Sequence, residues 1–319
     1  MSRMIFGIAV AMAVMNLTPV NAFAASAPPE AAQVGYATNT FSSTFTGTTV
    51  DLKNTKNRGF KWYLWDLFVP HANPADVVLN SDGTATLLGG SGENALLVTA
   101  VAYNATNAFA GTAFGGGAYI EAEMKFDPKN GAAAAAAHIW GWPAFWAMQI
   151  EGNLVGSNQW PGQSPDYVHS IETDFFEGMH ISPQPKSPGY GGAMHDWYGV
   201  RDKTCANLCT VNMPFSEGFR VVPAGTDFTQ FHRYGFLWVP ATKTSAGYAK
   251  FYFDDQQLGP AHEWQLYTDQ PPPAANQPWA YGVLDQRHMF LIIGTGRTQP
   301  LTVRSVNVWQ RNGASNLGD

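Results

Sequence analysis

Apolar and polar side chains alternate in several separate stretches of the chain, which is the pattern of β-strands with one buried face. The clearest example is Ala118–Phe126, and Asp82-Gly83 sits between two short apolar runs as in a β-hairpin. The same alternation recurs over residues 231–240 and 249–253, and residues 289–293 and 301–309 are predicted as two final strands. The sequence shows no internal repeat and no long amphipathic helix. It therefore predicts a single all-β domain of two packed antiparallel sheets.

The composition supports this fold class and limits the classes of molecule that the protein is expected to bind. The chain has 32 Gly and 21 Pro, which suit many turns, and 20 Phe, 12 Tyr and 11 Trp. Flat aromatic rings stack on sugar faces, although core packing also uses many of them. A net charge of −6 with only 13% charged residues argues against nucleic acid, which would require clustered Lys and Arg.

The N-terminus has the features of a secretory signal peptide. Arg3 supplies a positive start, Ile5–Met15 is an uncharged apolar run, and Ala22-Phe23-Ala24 is a small-x-small cleavage pattern. The run is short for a membrane span, so an uncleaved anchor is the weaker alternative. We predict a signal peptide over residues 1–24, a flexible lead-in over 25–36 and one domain over 37–319. The mature protein is then a secreted monomer, extracellular or periplasmic, without membrane contact.

The chain contains two cysteines, Cys205 and Cys209. In an exported protein they predict a disulfide across a short loop, with a modest effect on global stability. A metal pair is the alternative, but it lacks two further well-spaced ligands. The sequence accordingly indicates no metal site and no cofactor, and it leaves a structural calcium ion open.

An acidic stretch, Ser170–Glu177, carries three carboxylates within six residues. On a regular strand, Glu172 and Asp174 point to one face and Glu177 points to the other. One bulge between Asp174 and Glu177 would bring all three acids onto one face. Without a bulge the stretch is a strand with exposed acids at its end, and spacing alone leaves both interpretations open.

Carboxylates that share one face have a chemical use. Two carboxyl groups about 5 Å apart across a sugar ring are the requirement for retaining glycoside hydrolysis, one as nucleophile and the other as acid and base. Other segments that could flank the acidic strand carry side chains able to stack on or hydrogen-bond to a sugar. These candidate substrate-binding residues are Trp142, Trp146, Trp160, His195 and Trp197.

Several motifs together resemble glycoside hydrolase family 16. Glu172-Thr173-Asp174-Phe175-Phe176-Glu177 resembles that family's Glu-x-Asp-x-x-Glu motif in its β-bulged, laminarinase-like form. Other stretches follow in the expected order and extend the resemblance over about residues 115–310: Trp142-Pro143-Ala144-Phe145-Trp146, Trp160-Pro161, His195 with Trp197, Phe231-His232-x-Tyr234, and Val303–Gln310.

The resemblance implies a concanavalin-like β-jelly roll with a substrate cleft on its concave sheet. By position, it implies that Glu172 is the nucleophile, Glu177 the acid/base and Asp174 an assisting carboxylate. The predicted function is a secreted retaining endo-β-glycanase that hydrolyses a β-linked polysaccharide, with β-1,3 or mixed-linkage glucan as the leading substrate.

Three alternatives remain at this point. A transglycosylase would use the same acids with a sugar acceptor in place of water. A jelly-roll lectin would bind a polysaccharide without cleaving it, but binding alone does not need two facing carboxylates. A lyase on a similar fold would place Tyr and His or Arg at its centre, and His195 and Tyr198 keep that option open.

Overall fold

The structure is a computed structural model that describes residues 26–65, 73–89, 95–103, 108–128, 142–151, 167–182, 188–200, 211–266, 278–296 and 299–318. The predicted signal peptide, Trp160, Cys205 and Cys209 lie outside these residues. No helix in the described ranges is long and apolar enough to cross a membrane.

Strands dominate the described residues, with one short α-helix, α1 (Pro29–Gln33), and 3-10 helices at Pro74–Asp76 and Pro278–Gln286. In chain order the strands are β1 (Thr38–Ser43), β2 (Val50–Asp51), β3 (Trp62–Leu64), β4 (Val77–Leu79), β5 (Ala85–Leu87), β6 (Ala95–Val98), β7 (Ala100–Tyr103), β8 (Ala108–Ala113), β9 (Ala118–Phe126), β10 (Ala144–Gln149), β11 (Tyr167–Ser182), β12 (Gly189–Val200), β13 (Val211–Val221), β14 (His232–Val239), β15 (Gly247–Phe253), β16 (Gln256–Trp264), β17 (Met289–Thr295), β18 (Leu301–Gln310) and β19 (Leu317–Gly318).

Two eight-stranded sheets form a β-jelly-roll sandwich, which confirms the predicted fold class. The site sheet has the order β13-β12-β11-β10-β17-β6-β3-β2 and contains the acidic strand β11. The backing sheet has the order β16-β15-β14-β9-β18-β5-β4, and β1 also pairs with β18. Neighbouring strands in both sheets are antiparallel except β2 and β3, which are parallel. A small third sheet has the order β19-β8-β7.

The main core lies between the two large sheets and is rich in aromatic rings. Phe175 of the site sheet stacks on Phe236 of the backing sheet with ring centroids 4.7 Å apart. Phe176 meets Tyr234 edge to face, also at 4.7 Å. Contacts of this kind add to the free energy of burying the rings. The sheet that carries the acids is therefore fixed to the backing sheet directly beneath them.

A second core covers part of the other face of the site sheet. Small apolar residues of β7 and β8 pack there against side chains of β6, β10 and β17, including Val98, Met148, Phe290 and Ile292. Trp146 lies at the border of this cluster, with its ring 5.6 Å from that of Trp65. The third sheet thus covers one part of the outer face and leaves the acids on the other part.

The segment predicted as a flexible lead-in differs in the structure. Residues 29–33 form α1, Ala31 is fully buried, and the Tyr36 hydroxyl donates to the carbonyl oxygen of Trp238 at 2.9 Å. The Tyr119 hydroxyl donates to Glu30 Oε1 at 2.9 Å. Proline at the start of the turn suits a helix N-terminus, and the contacts with the outer face of the backing sheet hold the segment in place.

The aromatic packing predicts the effect of truncating Phe175, which is 2% exposed. We expect Phe175→Ala to lower the free energy of unfolding by about 3–5 kcal/mol, because it removes buried area and leaves a cavity between the sheets. Urea unfolding measures this loss. Phe219→Ala is the matched control, because Phe219 is 43% exposed and its truncation should cost far less. Similar losses in the two variants would contradict this account of the core.

Candidate active site

The acidic strand contains the bulge that a shared face for its three acids requires. On β10, Glu172 pairs with Met148, Asp174 with Trp146 and Glu177 with Ala144. Three steps along β11, from Asp174 to Glu177, thus match two steps on β10, and the register with β12 shifts in the same interval. One extra residue lies between the two acids, so the predicted bulge is confirmed.

Two adjacent phenylalanines explain why the bulge forms at this place. Phe175 and Phe176 are 2% and 0% exposed, and both belong to the core between the sheets. Successive residues of a regular strand point to opposite faces, so both rings can enter one core only if the strand is irregular between them. The free energy gained by burying the second ring outweighs the free-energy cost of the irregular strand pairing. As a result Glu177 is turned to the same face as Glu172 and Asp174.

The three acids line one groove on the outer face of the site sheet. Its volume is about 320 Å³, and the other lining residues are Leu96, Trp142, Ala144, Trp146, Thr295 and Gly296. Both glutamates therefore face a groove, as the bulge hypothesis requires. The groove has aromatic and aliphatic walls around a few convergent polar groups, which is the usual composition of a ligand-binding site.

Strand β12 brings His195 and Trp197 to the acids. The Trp197 indole Nε1–H donates to Glu172 Oε2 at 3.0 Å. His195 pairs with Glu172 in the strand register, and its Nε2 lies 3.2 Å from Asp174 Oδ2. The latter contact is within ion-pair distance, but its geometry is not that of a hydrogen bond. The two rings also pack on each other, with centroids 5.6 Å apart.

Burial and mutual repulsion raise the proton affinity of the acids. Burial first, and then the charge of Asp174, raises the pKa of Glu172 to about 8, while His195 and the Trp197 hydrogen bond act in the opposite direction. Burial and the charge of Glu177 raise the pKa of Asp174 well above its usual range. Three clustered carboxyl groups cannot all be ionised at neutral pH. The cluster therefore holds at least one proton between its members.

The structure brings together most of the residues that the sequence predicts for the site. Glu172, Asp174, Glu177, Trp142 and Trp146 line the groove. His195 and Trp197 lie beside the acids. Sequence reasoning missed Leu96, Thr295 and Gly296, which reach the groove through the pairing of β17 with β10 and β6. No local motif marks them, because only the order of strands in the sheet places them there.

In the part of the chain that the structure describes, no group of three or more His, Cys, Asp or Glu side chains is arranged to hold a metal ion.

No protein-family model matches the sequence, and no curated protein matches it. Three solved structures show a similar fold at low identity. The first comes from work on endo-acting O-glycanases that prominent members of the human gut microbiota express to initiate mucin breakdown; it is 14% identical with a TM-score of 0.44, and the match covers 86% of this chain and 100% of that one.

The second is the receptor-binding domain of botulinum neurotoxin type G, with 9% identity, a TM-score of 0.31, and 74% of this chain and 41% of that chain covered. The third is the exoplasmic/lumenal domain of VIP36 in a form bound to Ca²⁺ and Man3GlcNAc, with 10% identity, a TM-score of 0.31, and 74% and 80% covered. Sequence identities and TM-scores this low carry no information about the activity or the ligand of this protein.

The raised pKa values predict that the protein loses stability as pH rises. Because the folded state holds protons at Glu172 and Asp174 that the unfolded chain releases above about pH 4, stability should fall between about pH 4 and pH 8. The slope is about 1.4 kcal/mol per pH unit for each such group. Asp174→Asn, which cannot ionise, should flatten the slope in urea unfolding between pH 5 and pH 8.

Asp82→Asn is the control for this series, because Asp82 is an exposed carboxylate in a hairpin turn. It should keep the slope of the unmodified protein. An unchanged slope in Asp174→Asn would show that Asp174 does not hold a proton in the folded state.

Proposed function

We propose that this protein is a secreted retaining endo-β-glycanase of the glycoside hydrolase family 16 type, which cleaves a β-linked polysaccharide by double displacement. The observation that carries the proposal is the set of three acids, Glu172, Asp174 and Glu177, on one face of the bulged strand β11 at a groove with tryptophan walls. A binding protein has no need to bury three mutually repelling carboxyl groups at its ligand site.

Each acid has a role that follows from its surroundings. Glu172 attacks the anomeric carbon, while Glu177 donates a proton to the leaving oxygen and later activates the water that releases the glycosyl enzyme. Asp174 lies between them on β11, is 3% exposed, and acts on Glu172 through its charge. Mutual repulsion favours a single negative charge in the cluster, which is the state that this reaction needs at its start.

The groove walls support a polysaccharide as substrate. Trp142 and Trp146 flank Ala144 on β10, and both tryptophans remain partly exposed in the groove. Aromatic faces stack on the apolar faces of sugar rings, and the small side chain between them leaves room for a ring. We propose β-1,3 or mixed-linkage glucan as the substrate.

A substrate panel tests the proposal. The mature chain is incubated with laminarin, mixed-linkage glucan, agarose and carrageenan, and new reducing ends are measured. We expect cleavage of a β-glucan into oligosaccharides, and the first-formed anomer in proton NMR should be β because two displacements retain configuration. An α anomer would contradict the mechanism. Binding without any cleavage would favour a lectin, and longer products made from added oligosaccharides would favour a transglycosylase.

Substitution of the two glutamates separates their roles. Glu172→Gln should lower kcat at least about a thousandfold on every substrate, because an amide cannot form the glycosyl ester. Glu177→Gln should lower kcat/KM by a similar factor on polysaccharide, but less on an aryl glycoside whose leaving group needs no proton, because kcat/KM reports the first displacement. Kinetics on the two substrate types measure the difference.

Glu123→Gln is the matched control for both glutamate variants. Glu123 lies on β9 of the backing sheet and pairs with Arg304, so its change should leave kcat unaltered. Full activity of Glu172→Gln would overturn the assignment of the nucleophile.

A further inference from the structure

The indole of Trp197 forms a hydrogen bond with one of the acids, so its role is not limited to contact with the substrate. Its Nε1–H donates to Glu172 Oε2 at 3.0 Å. An indole N–H is a donor and never an acceptor, so the carboxyl oxygen must offer a lone pair. A hydrogen bond to an ionised carboxylate is stronger than one to its neutral form. The contact therefore favours negative charge on Glu172.

The neighbouring acid has no comparable donor among the described residues. Asp174 Oδ2 is fully buried and forms no hydrogen bond there, and His195 Nε2 lies 3.2 Å from it without hydrogen-bond geometry. A buried carboxyl group without donors prefers the neutral state. Strand β12 therefore presents a hydrogen-bond donor to Glu172, whereas no described residue donates a hydrogen bond to Asp174 Oδ2.

The position of Trp197 is fixed by the sheet. Trp197 lies opposite Ser170 in the register of β12 with β11, and its ring packs against His195 with centroids 5.6 Å apart. The titratable groups that face Glu172 are Asp174 and Glu177 from its own strand and His195 from β12, whereas β10 presents the uncharged Met148. Among these neighbours, the indole is the donor that bonds directly to Glu172.

We propose that Trp197 is a positioning residue that assigns the charge within the acid cluster, so that Glu172 ionises before Asp174 when the cluster loses a proton. Its meaning for catalysis rests on the proposed function, since Glu172 must be ionised to attack. The same bond also orients the nucleophile, because it holds Oε2 of Glu172 at the indole.

Trp197→Phe tests this inference, since it keeps an aromatic ring and removes the N–H. Glutamate labelled with ¹³C at the side-chain carboxyl is titrated by NMR, and Glu172→Gln identifies the signal of Glu172. We expect the pKa of Glu172 to rise by about one to two pH units in Trp197→Phe. The acid limb of kcat/KM against pH should move upward by the same amount. An unchanged pKa would overturn the proposal.

Two further variants make the result unambiguous. Trp62→Phe also removes an indole hydrogen bond, from Nε1 to Ser43 Oγ in the core, and it should lower stability without moving the pKa of Glu172. If Trp197→Phe does not fold, Trp197→Leu removes the same N–H in less space and is titrated in its place. The NMR titration needs no substrate. If no polysaccharide is cleaved, the proposed function fails while the role of Trp197 is still decided.

Discussion

Burial of two adjacent phenylalanines is the constraint on which the candidate site depends. Phe175 and Phe176 both enter the core between the sheets, and β11 can satisfy both only by bulging. The bulge in turn decides where Glu177 points. The two rings contact Phe236 and Tyr234 of the backing sheet. Packing on the face of the site sheet opposite the groove therefore fixes where the acids lie.

The same residues show how much of this structure could be predicted from sequence. Alternation predicted strands such as Ala118–Phe126 at their observed bounds, because one buried face dictates a period of two. The bulge followed from the spacing of the acids and the family motif. Leu96 and Gly296 could not be predicted, since the pairing of β17 with β10 and β6 brings them to the groove across large separations in sequence. The helix at Pro29–Gln33 was missed because its stability comes from contacts with β9 and β14 rather than from its own sequence.

The acid cluster works against the stability of the fold that holds it. Burial raises the pKa of Glu172 and of Asp174, so ionisation of either group in the folded state is unfavourable. Elsewhere a buried carboxylate receives donors that offset part of the effect of burial: Asp285 accepts from Trp238 Nε1, Trp264 Nε1 and the Ala241 amide, each at 2.8 Å, and burial raises its pKa only to about 6. Asp174 Oδ2 has no hydrogen-bond donor among the described residues. The contrast separates Asp285, which is held by donors, from Asp174, whose raised proton affinity is the kind that clusters at functional sites.

The room above the acids comes from small residues on the neighbouring strands. Glu177 is flanked by Ala144 on β10 and Gly191 on β12, and Asp174 has Ala193 on β12. Larger side chains border this space: Trp146 pairs with Asp174 on β10, and His195 and Trp197 lie two and four residues beyond Ala193 on β12. A sheet with bulky residues at all of these positions would cover its own carboxyl groups. Thus the bulge turns the acids to one face, the small neighbours leave space beside them, and the indole of Trp197 bonds to Glu172, so three separate strands must be in register before the site exists.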